Sequence, residues 1–251
     1  MSTRTQPPPP PARHTGRGAP SASPTRYRVA RWVGIGALVA LVVAIVLVVV
    51  RDSSTTDRAA PQAAEGVAAP AGLTTDDPIA IGDGPVTVTV YFDYLCPACG
   101  AFEEANGEAL DQLLLADDVT VDLRPIAFLD DLSAGTEYST RAANALATVV
   151  DGDPSHAWDF HRALYAHQPR EGEEGLTDQQ LADIARDVGV PEQVAALFTE
   201  GRFEAWVAQR TEQAFADGVE GTPTILVDGK LFEGDPYRTG SLAPVVEQAA
   251  P

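Results

Sequence analysis

The 251-residue chain carries 36 acidic against 17 basic residues, a formal net charge of −19, and only two cysteines. The charge is uneven, since residues 1–31 hold six arginines and no acid, while residues 52–251 hold every Asp and Glu. That balance excludes a domain that grips nucleic-acid phosphates and disfavours contact with anionic lipid headgroups.

Residues 1–31 include QPPPPPAR and many Ser, Thr and Gly. Such a segment lacks the apolar surface to offset chain entropy, and it reads as a disordered basic tail with a polyproline II run. Trp32–Val50, WVGIGALVALVVAIVLVVV, contains no charge and no polar face. As a helix its nineteen residues reach roughly 28 Å, near the ~30 Å hydrocarbon core of a bilayer. A cleaved signal peptide has a shorter apolar core, so the length predicts an uncleaved transmembrane helix. Arginines before the span place the N-terminus in the cytoplasm and everything after Val50 outside the cell membrane. Residues 51–78 are small, polar and dotted with proline, and they read as a flexible linker about 25–30 Å from end to end.

The folded unit is expected over 79–251. PVTVTVYFDY (85–94) alternates with period two, and VTVDLRPIAF (119–128) is a second strand. Between them a helical pattern runs from Cys96-Pro97 to about Leu115, with Pro97 suited to the first turn. Helices are then expected near 137–150, 156–167, 177–189, 191–198 and 201–218. TPTILVDGKLFEG (222–234) predicts a hairpin turning at Asp228-Gly229. LAPVVEQAA closes the chain as a short helix. The pattern is an α/β domain with an inserted helical region at about 138–217.

FDYLCPACGAFEE (92–104) holds both cysteines. Structural zinc needs four ligands, and no second cysteine pair or nearby histidine supplies them. His156, His161 and His167 lie far downstream at spacings of five and six, and ordinary packing or exposure is expected for them. A staple across so short a ring would contribute only roughly 2 kcal/mol. Redox chemistry fits better. Cys96 would sit at a helix N-terminus, where unpaired N–H groups and the dipole favour a thiolate, and Cys99 would face it from one turn further in. Cys96 is then the attacked sulfur and Cys99 the resolving one, with no cofactor required.

FDYLCPAC, YSTRAANALA, AWDFHRALYAHQ and GVEGTPTILVDGK, in this order, resemble the recurring segments of DsbA-like thiol:disulfide oxidoreductases. The resemblance covers about 85–233 and implies a thioredoxin-like fold with a helical insertion. It also implies a cis peptide at Thr222–Pro223, which would lie beside the cysteines and offer backbone to a substrate. The implied partners are folding secreted polypeptides with free thiols and a quinone-linked membrane re-oxidant of the DsbB or vitamin-K-epoxide-reductase type. Two departures stand out. Pro97-Ala98 separates the cysteines, whereas strongly oxidising relatives carry a histidine in the second position. Val90 stands where relatives often place a buried acid that shuttles a proton from the second cysteine; Asp93 or a water is the alternative for that role, but Asp93 is expected at the strand end in solvent. Oxidase, isomerase and reductase share this chemistry, and a non-catalytic binding module of the same fold is the alternative from another class.

Overall fold

A computed structural model describes residues 66–250. The expected tail, the span Trp32–Val50 and the first part of the linker lie outside these residues. Among the described residues no helix is long and apolar enough to cross a membrane.

Five strands form one sheet in the order β1-β3-β2-β4-β5. They are β1 (Ile79–Ile81), β2 (Val86–Phe92), β3 (Val119–Pro125), β4 (Thr224–Val227) and β5 (Lys230–Leu231). β2 and β3 run parallel from Val86↔Val119 to Phe92↔Pro125, and the other pairings are antiparallel. A parallel neighbour needs a crossover, and α1 (Pro97–Leu115) supplies it. The alternation read in β2 is real: Val86, Val88, Val90 and Phe92 are buried, as are Val119, Val121 and Leu123 beside them.

Between β3 and β4 come α2 (Tyr138–Gly152), α3 (Ala157–Ala166), α4 (Asp178–Asp187), α5 (Glu192–Ala195) and α6 (Glu204–Ala216). α2 buries Ala142, Ala143, Ala145 and Ala147, small residues that let neighbouring helices approach closely, around Phe160, Phe198, Phe203 and Trp206. The hairpin turns as expected, with positive φ at Asp228 (48°) and Gly229 (73°). α7 (Ala243–Ala249) ends the fold.

Two expectations change. The folded unit begins before residue 79, because 66–78 is held to the domain. Val67, Ala69 and Leu73 pack on the core. The Trp206 indole N–H donates to the Thr74 carbonyl at 3.1 Å, and Arg210 Nη1 donates to the Thr75 and Asp77 carbonyls at 2.9 and 2.5 Å. The attachment runs through backbone carbonyls, which composition does not reveal. The strand β1 was likewise unforeseen, its three residues being too few for an alternation signal.

Candidate active site

The parallel pair β2–β3 delivers its C-terminal ends to one edge of the molecule, and α1 starts there. Cys96 is the N-cap of α1, with extended backbone (φ −69°, ψ 115°), and Pro97 occupies the first turn. The Cys96 carbonyl accepts from the N–H groups of Cys99 (3.1 Å) and Gly100 (3.2 Å), closing the turn that brings Cys99 back towards Cys96. Both cysteines are free thiols in this structure and both are buried, Cys99 at 1 % exposure and Cys96 at 6 %. Pro97 is exposed and Ala98 half-buried, so the dipeptide faces outward.

The cis Thr222–Pro223 peptide lies beside them, as the resemblance implies. The Cys96 thiol donates to the Thr222 carbonyl at 3.4 Å across 126 residues of sequence. The Thr222 hydroxyl, buried and otherwise unpartnered, faces both sulfurs.

The two thiols are driven apart electrostatically. The Cys99 S–H donates to the Cys96 sulfur, and although burial opposes ionisation, the Thr222 hydroxyl and the Cys99 and Ala98 N–H groups add further donors. Together they bring Cys96 from 9.0 down to about 6. Burial, followed by the donated hydrogen bond and the charge of Cys96, pushes Cys99 well above its ordinary value. One sulfur is therefore a thiolate at neutral pH while its neighbour keeps its proton.

Asp93 overturns its expectation. It is fully buried. Its Oδ1 accepts from the Leu95 N–H (2.8 Å) and the Ser139 hydroxyl (2.6 Å), and its Oδ2 from the N–H groups of Phe128 (3.0 Å) and Leu129 (3.1 Å). Its carbonyl accepts from the Cys96 N–H (3.0 Å) and the Tyr165 hydroxyl (3.2 Å), and its own N–H faces the Cys99 sulfur. Burial outweighs these donors and raises its carboxyl to about 6. The residue ties the β2–α1 turn to the segment after β3, to α2 and to α3. Its flanks were the available signal, since an acid between Phe92 and Tyr94 at the end of an inward-facing strand stands among buried aromatics. Val90 is packed in the sheet at 2 % exposure, so no acid occupies that position.

Gln168 was also missed. Its amide donates to the carbonyls of Tyr94 (3.0 Å) and Cys96 (2.8 Å). Deeper, His161 is wholly buried and accounts for itself by packing, as expected. Its Nδ1 pairs with the Tyr94 hydroxyl at 3.0 Å and its Nε2 with Glu103 at 3.1 Å, while Arg162 donates to the other Glu103 oxygen at 2.9 Å. Burial pushes Glu103 up, but the fields and hydrogen bonds of His161 and Arg162 outweigh it and hold the carboxyl below its usual value. His156 and His167 lie elsewhere, paired with Asp153 and the Ala163 carbonyl.

A thioredoxin-like sheet that presents a helix-capping Cys-Pro-Ala-Cys dithiol beside a Thr-Pro loop defines a thiol–disulfide oxidoreductase. The family model described as Thioredoxin matches residues 74–240. The chain is 29% identical over 153 residues to "Disulfide bond formation protein D" of Bacillus subtilis, covering 60% of this chain and 67% of that one. A reduced disulfide bond oxidoreductase, DsbG of Mycobacterium tuberculosis, superposes with a TM-score of 0.60 at 28% identity, covering 70% of this chain and 88% of that one. A stretch of 109 residues is 33% identical to serine/threonine-protein kinase PknE of Mycobacterium tuberculosis, but it spans only 19% of that protein and 42% of this one. The chain belongs to the thioredoxin family and is a DsbA-like member of it, a thiol–disulfide oxidoreductase.

Proposed function

We propose that this protein donates disulfides to secreted polypeptides outside the cytoplasm. The observation that carries the reading is the split between Cys96, at about 6, and Cys99, far above its usual value. A stabilised Cys96 thiolate lowers the free energy of the reduced form, which makes the disulfide form a better oxidant.

In the oxidised protein a substrate thiolate attacks Cys96 Sγ and the Cys96–Cys99 bond breaks. Cys99 leaves and, with its raised pKa, takes up a proton. A second substrate thiolate then attacks the substrate sulfur of the mixed disulfide and expels the Cys96 thiolate, a good leaving group. Two electrons pass to the protein and one disulfide to the substrate. Thr222–Pro223 serves as the platform that aligns the substrate backbone beside Cys96, and Pro97 and Ala98 form the outward rim. A DsbB-like or vitamin-K-epoxide-reductase-like membrane partner, linked to quinone, restores the disulfide.

In the same proposal residues 1–31 are a cytoplasmic tail and 32–50 the membrane anchor, joined to the domain by the linker that begins at residue 51. The exterior location follows from the arginine asymmetry.

The test is equilibration of the full-length chain in thiol–disulfide buffers, with free thiols trapped and the protein weighed. A reduction potential at or above ~−180 mV supports disulfide donation, and one near the ~−270 mV of thioredoxin assigns a reductase instead. Failure of the pair to cycle returns the domain to a binding role.

A further inference from the structure

On the outer face of β2 and β3, against α6, lies a cavity of about 270 Å³ lined by Tyr91, Arg124, Arg210 and Gln213. Its size falls just below the ~300–1,000 Å³ of pockets for drug-sized ligands. Arg124 donates through Nη1 to the Asp76 carbonyl at 3.0 Å, and Arg210 donates through Nη1 to the carbonyls of Thr75 and Asp77. These partners are all neutral. Among the described residues neither arginine forms an ion pair. The Nε atoms of both are buried without a partner.

Each guanidinium thus keeps its Nε–Nη2 edge unpaired, the edge that matches an oxyanion in two-point contact. Arg210 is only 4 % exposed. Burial, and then the like charge of Arg124, bring it down to about 10 against the opposing fields of Tyr91, Asp76 and Asp77. An unpaired buried cation is costly, and the like charge of the half-buried Arg124 beside Arg210 adds to that cost. Both groups are nevertheless held in place by aromatic faces, Arg124 at 5.5 Å from the Tyr91 ring and Arg210 at 4.5 Å from the Trp206 ring. Asp76 and Asp217 also line the cavity, and the Asp77 carboxylate lies within the field of both arginines. But Asp76 and Asp217 are exposed, where water and salt screen them, and Asp77 accepts instead from the Thr74 N–H and hydroxyl. The Asp217 carboxylate accepts from Gln213 at 2.9 Å.

We propose that the Arg124–Arg210 cavity binds a small free oxyanion of the phosphate or sulfate type, which pairs both guanidinium edges and ties residues 75–77 and β3 to α6. The site is independent of the thiols.

The experiment is thermal unfolding of the full-length chain against rising inorganic phosphate, with sodium chloride at matched ionic strength, joined to phosphorus NMR line broadening of free phosphate. The expected result is a saturable rise in Tm and broadening by the wild type, with affinity about tenfold weaker or worse in Arg124→Gln. Phosphate raises the Tm of many proteins by exclusion from their surface. An equal rise in wild type and variant, or no broadening by the wild type, overturns the proposal.

Discussion

The side-chain amide of Gln168 donates to the carbonyl of Cys96 at 2.8 Å, so the segment that follows α3 within the helical insertion holds the first turn of α1 directly. A methyl at Gly100 would collide with the Gln168 Oε1. The insertion is therefore part of the redox site as well as its cover.

Gln168→Ala removes two neutral hydrogen bonds and is expected to lower stability by about 1–2 kcal/mol. Gly100→Ala pushes the same amide away and should cost a similar amount. Because both act through one contact, the double variant should cost clearly less than the two single changes added. Denaturant unfolding of the four proteins checks this, and strict additivity would refute the shared contact.

Asp93→Ala would orphan the Leu95, Phe128 and Leu129 N–H groups and the Ser139 hydroxyl at once. The expected loss is about 3–5 kcal/mol, read from chemical unfolding. A pH signature accompanies it. The folded carboxyl is raised from 3.8 to about 6, so its contribution is complete below pH 3.8 and is lost as pH rises through 6. Asp93→Asn should abolish that fall, and an unchanged pH profile in the variant would show that the carboxyl titrates elsewhere.

The parts of this molecule that obey one-dimensional rules were legible in its sequence. Val86 to Phe92 alternate because one sheet face is buried, and Asp228-Gly229 turn the hairpin because both adopt positive φ. The dithiol was legible for the same reason, since Cys96 and Cys99 are brought together by a single helical turn. Asp93 was not. Its partners Phe128, Leu129 and Ser139 lie 35 to 46 residues away, and only the fold makes solvent unavailable to it. Gln168 and the segment 66–78 escaped similarly, for Gln168 donates to main-chain carbonyls and the segment is held by its own, and no side-chain pattern marks either.

The thiolate of Cys96 depends first on the hydrogen bond donated by Cys99. Titration of the reduced wild type by thiolate ultraviolet absorbance should show a midpoint near 6. In Cys99→Ala the donor is gone while the helix N-terminus remains, so the midpoint should rise towards 9.0 without reaching it. A midpoint unmoved by the substitution would leave the backbone and Thr222 as the sources of activation.

The same pair sets how redox state and stability are linked. Between pH 6 and 9 an unfolded Cys96 holds a proton that the folded one has released, so the reduced form gains stability as pH rises through this window. Its contribution is complete above 9.0 and is lost as pH falls through about 6. Cys99 acts oppositely but later. With its folded pKa raised, it favours the native thiol below 9.0 and penalises folding only when an unfolded Cys99 ionises above that value. The oxidised form has neither group to titrate. The stability of the reduced chain relative to the oxidised one should therefore climb from pH 6 to about 9 and level off or fall beyond it. Paired urea unfolding of both redox forms across this range measures the difference. A gap that stays flat between pH 6 and 9 would mean that Cys96 titrates alike in the folded and unfolded chain, and the disulfide would then have no source of oxidising power in that thiolate.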